Sequence, residues 1–503
     1  PLTPNGKIDR KALPDFEIVA GEDYIAPRNE VEEKLVEIWS EVLKVKEIGI
    51  NDNFFSLGGD SIKTIQIQAR LSKVGYKLAI KDIFNTPTIG QLSTKIKLQT
   101  KTADQTIVTG KVLLTPIQEW FFTSSKVDIH HFNHAVMLST KERLKEDFIV
   151  SIFTEIQRHH DALRMTYNAE KGVYLQKNED KHMELSLDVL DLTNEENPKL
   201  VLLSECNKLQ SSIDLSNGQL LKLGLFRMPD GDRLLIVIHH LVVDGVSWRI
   251  IFEDIETLYQ QYKSRTKFSL PLKSTSFKLW SKKLNEYSQS DKLLKEKDYW
   301  HNIENIDISE LPADYKLEEE SYLKDRLNLS FSLSKEETDL LLKEVNNVYN
   351  TEINDVLITG LGYGLKNTFG YDRILVSLEG HGREDVIPDI DISRTIGWFT
   401  TVYPISLDMS YSADLSMQLK EVKESLHQIP NKGIGYGILK YLTPDELKEG
   451  LEFKQTPQIE FNYLGQFDAE VEGMELFSIA SESSGESFSL NREFDYNFSI
   501  TGI

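Results

Sequence analysis

Residues 53–63 read NFFSLGGDSIK, and the expected fold of the first hundred residues follows from this stretch. Gly58 and Gly59 permit a tight backbone turn, and Asp60 is suited to cap a helix that begins at about Ser61. The N-terminus of a helix favours a phosphate ester, because the helix dipole and the free N–H groups stabilise negative charge. A capping serine without any such role has the same local sequence, so the stretch alone leaves both interpretations open.

Helical patterns surround this stretch on both sides. Residues 29–43 place apolar side chains at i, i+4, i+7, i+8, i+11 and i+12, which is one stripe of an amphipathic helix. Further short helices are predicted after the glycine pair, at 81–84 and at 89–96. These four helices predict a small bundle over residues 23–98. The polar, Thr-rich residues 99–111 predict a linker.

Length and charge limit the possible functions. A chain of 503 residues exceeds what one hydrophobic core usually serves, so several domains are expected. The formal net charge of -22 argues against nucleic acid or an anionic membrane as a partner. Cys206 is the only cysteine, which excludes an intrachain disulfide and favours the cytoplasm. Every apolar run is far shorter than the roughly 20 residues of a membrane-spanning helix.

Helical and strand-like patterns alternate beyond residue 112, which is typical of an α/β fold. The predicted helices are 148–164, 247–262, 335–348 and 413–426. The predicted strands are 135–138, 220–226, 234–238, 327–333, 374–378 and 459–463. The charged residues 285–298 are expected to lead from one half of this region to the other.

A histidine pair, His239 and His240, follows the apolar run 234–238 in the stretch IHHLVVDGVSW. A loop between a buried strand and a helix often holds catalytic groups, because the scaffold fixes its position. From the residues alone, a histidine could be catalytic, structural or a metal ligand, and Asp244 could simply cap the helix. We favour a structural role for His239. Neither HExxH nor CxxC accompanies the pair, so zinc is not expected.

Other histidines compete with this pair. RHHDALR at 158–164 places His160 on the apolar face of a predicted helix, which indicates a structural residue. His130, His131 and His134 have no helical context and receive little weight.

Several stretches resemble motifs of non-ribosomal peptide synthetases. The serine stretch resembles the carrier-domain attachment signature. HHLVVDGVSWRI resembles the HHxxxDG motif of condensation and epimerization domains, and its continuation through Trp248 is the epimerization form. RHHDALR, RTIGWFT at 394–400 and IEFNYLGQF at 459–467 match further family motifs. PLTPNGKIDRKALP, at residues 1–14, resembles the closing motif of an adenylation domain with Lys7 as its catalytic lysine. The resemblance thus spans nearly the whole chain.

The resemblance implies a multi-domain architecture. A four-helix-bundle carrier domain at 23–98 would follow an adenylation-domain remnant and linker at 1–22. An α/β epimerization domain would occupy residues 112–503, as two chloramphenicol-acetyltransferase-like lobes in a V. The lobes would span about 112–290 and about 305–503.

The same resemblance implies the cofactor and the active site. Ser61, beside Asp60, would carry covalently attached 4'-phosphopantetheine, and His240 would act in a tunnel between the lobes. Inverting an α-carbon requires one group to take a proton and another to return it on the opposite face. Glu379, at the end of the predicted strand 374–378, is our candidate for the second group, as the glutamate of epimerization domains. Water exclusion would raise the pKa of Glu379 toward neutrality.

Supporting roles are expected for other residues. Asp244 would orient the histidine loop in an ion pair with Arg383. The enolate oxygen needs a donor, and Asn462, Tyr463, a backbone N–H or protonated His240 are the candidates. Which of the two catalytic groups removes the proton of the L form stays open.

The predicted function is conversion of a carrier-bound L-aminoacyl thioester to an L/D mixture in peptide antibiotic synthesis. Resemblance to initiation modules implies phenylalanine as the amino acid. The expected partners are an upstream adenylation domain, a phosphopantetheinyl transferase and the downstream condensation domain of a partner synthetase. The alternatives are peptide-bond condensation, which shares HHxxxDG, and a non-catalytic domain that holds the carrier. The epimerization form of the motif and Glu379 favour epimerization.

Overall fold

The computed structural model of the chain divides into two compact units. The first comprises residues 1–100 with 333–353, and the second 101–332 with 354–503. The structure describes residues 24–98, 103–124, 127–170, 173–179, 185–308, 310–315, 322–345, 349, 351–412, 414–465, 471 and 474–503. Lys7 therefore lies outside the described residues. Within them, no helix combines the length and apolarity needed to cross a membrane.

Four helices form the core of the first unit, as the sequence predicts. They are α1 (Glu30–Leu43), α2 (Ser61–Lys73), α3 (Ile80–Asn85) and α4 (Ile89–Leu92). Leu35, Trp39 and Phe54 are fully buried among their apolar faces. The short strands β1 (Tyr76–Lys77) and β2 (Lys97–Leu98) pair antiparallel. The α4 helix ends four residues earlier than predicted.

Further helices follow among the described residues, and four of them overlap the predicted helices. The further helices are α5 (Pro116–Ser124), α6 (Glu146–His159), α7 (Pro198–Gln210), α8 (Gly245–Lys263), α9 (Phe277–Tyr287), α10 (Asp291–Leu294), α11 (Lys297–Glu304), α12 (Lys335–Asp339), α13 (Ile353–Phe369), α14 (Leu415–His427) and α15 (Ile434–Tyr441). The α12 helix continues as a π-helix over Leu340–Glu344. The end of the predicted helix 335–348 lies outside the described residues.

Three sheets build the second unit. The first has the order β13-β4-β9-β8-β7, from β4 (Asn133–Thr140), β7 (Leu187–Asp191), β8 (Leu221–Met228), β9 (Gly231–His239) and β13 (Ser478–Ile479). The second has the order β3-β6-β5, from β3 (Gly110–Val112), β5 (Met165–Glu170) and β6 (Val173–Asn178). The third has the order β11-β10-β12-β14, from β10 (Arg373–Gly380), β11 (Thr401–Asp408), β12 (Ile459–Tyr463) and β14 (Phe498–Gly502).

Burial on both faces explains the apolar run in β9, the central strand of the first sheet. Every residue of β9 is buried, which its nearly continuous apolar run requires. In the third sheet, β10 pairs antiparallel with β11 and parallel with β12. Both β9 and β10 end beside polar residues, and these ends supply the candidate site.

The predicted strand at 327–333 is wrong. These residues form no helix or strand, and Leu327, Leu329 and Phe331 are 94%, 97% and 93% exposed. Their alternation has the period of a strand, but a strand also needs a hydrogen-bonded neighbour. The structure pairs this segment with none of the described strands.

Candidate active site

The histidine pair lies at the turn between β9 and α8, as the sequence predicts. His239 ends the strand, and Asp244 caps the helix by accepting a hydrogen bond from the Ser247 amide. The Nε2 atom of His239 lies 2.9 Å from the Ile129 carbonyl oxygen. Its Nδ1 atom accepts from the Leu241 amide at 3.2 Å. Both ring nitrogens of His239 are therefore used to hold the turn.

His240 presents a different arrangement. Its Nδ1 atom lies 2.7 Å from the Val243 carbonyl oxygen. A carbonyl oxygen only accepts, so Nδ1 carries the hydrogen and Nε2 keeps a lone pair. The imidazole stacks on Phe132 at 5.3 Å and lies 4.4 Å from the Trp398 ring, between ring centres. Burial lowers the pKa of His240 to about 4, so the imidazole is neutral near pH 7 and can accept a proton at Nε2.

Asp244 and Arg383 form the expected ion pair. The Nη2 atom of Arg383 lies 3.1 and 3.3 Å from the two carboxylate oxygens of Asp244, and both side chains are buried. Arg383 also donates to the carbonyl oxygens of Ile392 and Thr395. Asp244 accepts from the Phe399 amide at 3.1 Å. This ion pair joins the loop after β9 to the segment that follows β10.

Glu379 lies on the polar face of the third sheet. The parallel register opposes Ser377 on β10 to Glu460 on β12, so Glu379, Glu460 and Asn462 share one face. The Asn462 amide donates to Glu379 Oε2 at 2.6 Å. Burial, followed by the charge of Glu460, raises the pKa of Glu379 well above its ordinary value. This shift favours the acid form of Glu379, which is the direction that water exclusion predicts, and the catalytic role of Glu379 stays a prediction.

The other supporting candidates lie apart from this pair. Trp248 is buried in the core, with its ring 5.6 Å from that of Phe252. Tyr463 follows Asn462 on β12, so its side chain points to the other face, and it packs against the apolar core. The structure therefore brings Asn462 to Glu379, whereas Trp248 and Tyr463 pack against apolar side chains and their supporting roles stay predictions.

His134 is a site residue that the sequence analysis underrated. Its ring centre lies 3.9 Å from that of His240. Strand β4 opposes His134 to Ile238 on β9, which brings it beside the histidine turn. Burial lowers its pKa well below the ordinary value, so it is also neutral. The register of two distant strands creates this contact, and the local sequence carries no signal for it.

A cavity of about 200 Å³ adjoins both parts of the site. Its lining includes Trp398, which contacts His240, and Val402, which is paired with Glu379 across β10 and β11. Aromatic side chains supply much of the remaining wall: Trp120, Trp280, Tyr403, Tyr436 and Tyr496. The largely aromatic wall makes this cavity suited to an apolar group, and the two site residues adjoin it through Trp398 and Val402.

Ser61 occupies the first position of α2. Asp60 caps this helix by accepting from the amides of Ile62 and Lys63 at 2.8 and 2.7 Å. Gly58 has φ +84°, and the Ser61 side chain is half-buried. A partly accessible hydroxyl at a helix N-terminus fits a phosphodiester, because the helix dipole stabilises its charge. The residues around Ser61 therefore fit phosphopantetheine.

His160 has the structural role that the sequence predicts. Its Nε2 atom lies 2.7 Å from Asp254 Oδ2, and Arg394 donates to the other oxygen of that carboxylate at 2.5 Å. RHHDALR is not one helix, however, because α6 ends at His159 and a 3-10 turn follows. Among the described residues, no group of three His, Cys, Asp or Glu side chains is arranged to hold a metal ion.

Two known families match separate parts of the chain. Residues 108–503 match the Condensation domain family, and residues 33–96 match the Phosphopantetheine attachment site family. The chain belongs to the condensation-domain family and carries a phosphopantetheine-binding carrier domain before it. The predicted cofactor, covalently attached phosphopantetheine, is confirmed at the level of the carrier family.

Individual relatives indicate which members of the condensation-domain family this chain resembles. Gramicidin S synthase 1 of Brevibacillus brevis is 47% identical over 491 residues, which cover 97% of this chain and 44% of the relative. The crystal structure of the epimerization domain from the third module of tyrocidine synthetase B is 42% identical, with a TM-score of 0.75. That alignment covers 80% of this chain and 90% of the solved one. The present chain thus spans less than half of the curated relative.

A more distant structure supports the fold alone. The first condensation domain of the calcium-dependent antibiotic synthetase is 16% identical, with a TM-score of 0.58 over 75% of this chain and 85% of that one. Together these matches confirm the predicted fold class, a small helical carrier domain followed by an α/β domain of the chloramphenicol-acetyltransferase-like type. The chain is an epimerization-type member of the non-ribosomal peptide synthetase condensation family.

Proposed function

We propose that this chain epimerizes an L-aminoacyl thioester, carried on its own Ser61, to an L/D mixture. The observation that supports this most is one cavity lined both by Trp398, which contacts His240, and by Val402, which pairs with Glu379. The hydrogen bond of His240 Nδ1 leaves a lone pair on Nε2, and burial raises the pKa of Glu379 well above its ordinary value, which favours its acid form. Exchange of the α-proton on one face needs a single base. Inversion needs a second group that returns a proton on the opposite face.

The proposed proton transfers follow from these protonation states. Phosphopantetheine supplies the thioester that acidifies the α-carbon and the arm that delivers it. His240 Nε2 takes the α-proton, and the electron pair moves toward the carbonyl oxygen of the substrate. The Glu379 carboxyl returns a proton to the opposite face. His240 then holds the proton and Glu379 is ionised, which is the state required for the reverse reaction and hence for an L/D mixture.

We assign phenylalanine to the aminoacyl group. This rests on the resemblance to initiation modules and on the aromatic cavity of about 200 Å³. An apolar cavity of about 150 Å³ accepts a benzene ring in a well-studied case, so the size suits a phenyl group. Tyr436 and Tyr496 on its wall can form edge-to-face contacts with such a ring.

The proposed partners follow from a carrier that must be loaded and unloaded. A phosphopantetheinyl transferase modifies Ser61, an adenylation domain supplies the amino acid, and a condensation domain of a partner synthetase accepts the product. The tether makes the encounter between carrier and active site intramolecular, so weak docking suffices. We place these reactions in the cytoplasm, where the single thiol of Cys206 stays reduced.

The direct test loads Ser61 with L-phenylalanyl phosphopantetheine in heavy water and measures the chirality and α-deuterium of the released amino acid. We expect a D/L mixture with deuterium at the α-carbon. His240→Gln should abolish both signals, with a fall in rate of at least about 100-fold. Glu379→Gln should abolish inversion equally but retain some exchange, because His240 can still remove and return the proton on one face.

Two outcomes would contradict this proposal. Undeuterated L-phenylalanine from the unmodified chain, with a peptide bond formed when an aminoacyl acceptor is added, would instead support condensation. Full inversion in both variants would remove His240 and Glu379 from the mechanism. His301→Gln, at an exposed position on α11, is the control that should leave the rate and the loading of Ser61 unchanged.

A further inference from the structure

We propose that Glu460 is a positioning residue that keeps the reacting proton on Glu379, by accepting a hydrogen bond from the Glu379 carboxyl as an ionised partner. The inference rests on the proposed function, since it concerns the protonation state of the proposed acid. Glu460 lies in the stretch IEFNYLGQF, whose Asn462 and Tyr463 were the expected site residues.

The sheet places the two carboxyl groups together. Parallel pairing opposes Ser377 to Glu460 and Leu378 to Phe461, so Glu379 and Glu460 lie on the same face of adjacent strands. Their side chains are within hydrogen-bond reach of each other. Two carboxylates at this distance cannot both be ionised at low cost, so the pair holds one proton near neutral pH.

Each carboxyl accepts one hydrogen bond from a neighbouring side chain, so burial and the charge of the partner decide which group keeps the proton. The Ser499 hydroxyl donates to Glu460 Oε2 at 2.8 Å, which stabilises Glu460 as the anion. Glu379 receives a hydrogen bond at Oε2 from Asn462, and its side chain also hydrogen-bonds to that of Glu460. Burial and the charge of Glu460 both raise the pKa of Glu379. The Glu379 carboxyl is therefore the donor of this pair.

Two described residues that interact with the pair, Tyr496 and Asp495, bring no positive charge to it. Tyr496 shares a hydrogen bond with Ser377 at 3.1 Å, and burial raises its pKa, so its hydroxyl stays protonated. The negative charge of Asp495 raises the pKa of Glu460 in the same direction as burial does. Burial and the charge of Asp495 therefore favour one proton retained by the pair over two ionised carboxylates.

The arrangement also accounts for recovery after a turnover. Once Glu379 has given its proton to the α-carbon, two ionised carboxylates face each other. Their repulsion favours the return of one proton to Glu379, either from the substrate in the reverse reaction or from water. Glu460 itself exchanges no proton with the substrate in this scheme.

The experiment measures the pH dependence of inversion in Glu460→Gln. The inversion rate should fall at high pH as Glu379 loses its proton. The amide introduced by this substitution carries no charge to disfavour ionised Glu379, so the fall should begin about one pH unit lower. The rate well below the fall should change less than about threefold. Glu452→Gln, which removes an exposed carboxylate, should reproduce the profile of the unmodified chain.

A second readout does not depend on turnover. The infrared C=O band of a protonated carboxyl that is lost in Glu379→Gln reports the proton on Glu379 directly. The pH at which half of this band is lost should also be lower in Glu460→Gln. Glu460→Asp keeps a charge, so its midpoint should lie between those of Glu460→Gln and the unmodified chain. If Glu460→Gln does not fold, a midpoint of Glu460→Asp below that of the unmodified chain still supports the proposal.

Failure of the two proposals can be told apart. Unchanged midpoints and pH profiles in the Glu460 variants would overturn the role of Glu460 whatever reaction the domain catalyses. A uniform loss of rate at every pH, with an unmoved infrared midpoint, would assign Glu460 a structural role and also overturn the proposal. A moved midpoint in a chain that shows no inversion would keep the Glu379–Glu460 pair and reject epimerization.

Discussion

Gly59 and Phe54 determine the backbone turn that presents Ser61. A Cβ atom at Gly59 would lie 2.4 Å from the Phe54 ring, which is closer than real atoms approach. Phe54 is fully buried with its ring 5.1 Å from that of Trp39, so it cannot move aside freely. Gly58 has another reason to be glycine, because its φ of +84° lies in the left-handed region. Gly59 is thus required for lack of space, and Gly58 for its backbone conformation.

We expect Gly59→Ala to lower the free energy of unfolding of the carrier domain by about 2 kcal/mol, because the added methyl overpacks the core. Adding Phe54→Leu should recover part of this loss by making room for the methyl. Gly58→Ala should cost about 1 kcal/mol for its strained φ, and Phe54→Leu should give it no such recovery. Urea unfolding of the four variants measures this. Equal free energies of unfolding for Gly59→Ala and the unmodified chain would contradict the packing argument.

The helices and strands were predictable where local periodicity decides them. The α8 helix and strand β9 carry strong apolar patterns, and both lie within a few residues of their predicted positions. Asp60 and Asp244 cap their helices, as their residue types indicate. The strand prediction for residues 327–333 was wrong although the alternation there is equally clear. A strand needs a hydrogen-bonded neighbour, and the sequence of the segment does not determine whether one is present.

The site was predictable only in part, for a similar reason. His240 and Glu379 stand at the ends of recognisable strands, and Asp244 met Arg383 as expected. Strand register places His134 next to His240 and Glu460 next to Glu379, and it pairs residues that are far apart in the chain. Register depends on which faces are buried across the whole sheet, so a short sequence window does not contain it.

The ion pair between Asp244 and Arg383 should stabilise the second unit strongly. Removing one partner of a buried pair leaves a desolvated charge, so Arg383→Met should cost about 3 kcal/mol or more. Asp244→Asn combined with Arg383→Met should cost less than the sum of the single changes. Unfolding in urea measures the three variants.

Arg373 with Asp408 is the matched control, a pair at 2.6 Å in the same unit with side chains 51% and 35% exposed. Solvent screens that pair, so Arg373→Met should cost under about 1 kcal/mol. Similar losses for Arg373→Met and Arg383→Met would show that burial does not set the strength of these ion pairs.

Buried histidines connect the stability of the second unit to pH. Burial lowers the pKa of His159, His239 and His381 to about 3, and that of His240 to about 4. The unfolded chain binds these protons near pH 6.5, whereas the folded chain does not. The stability of the neutral histidines is therefore fully present above about pH 6.5, and it falls as the pH drops toward the folded pKa values.

Between about pH 6.5 and pH 4, each of these histidines should lower the free energy of unfolding by up to about 1.4 kcal/mol per pH unit. His239→Gln removes one such group, so its stability should decline less steeply with acid than that of the unmodified chain. His301→Gln changes an exposed histidine and should leave the slope unaltered. Urea unfolding across this pH range gives the slopes. Parallel slopes for all three proteins would mean that His239 is protonated in the folded chain, and its ring could then no longer accept from the Leu241 amide in the turn between β9 and α8.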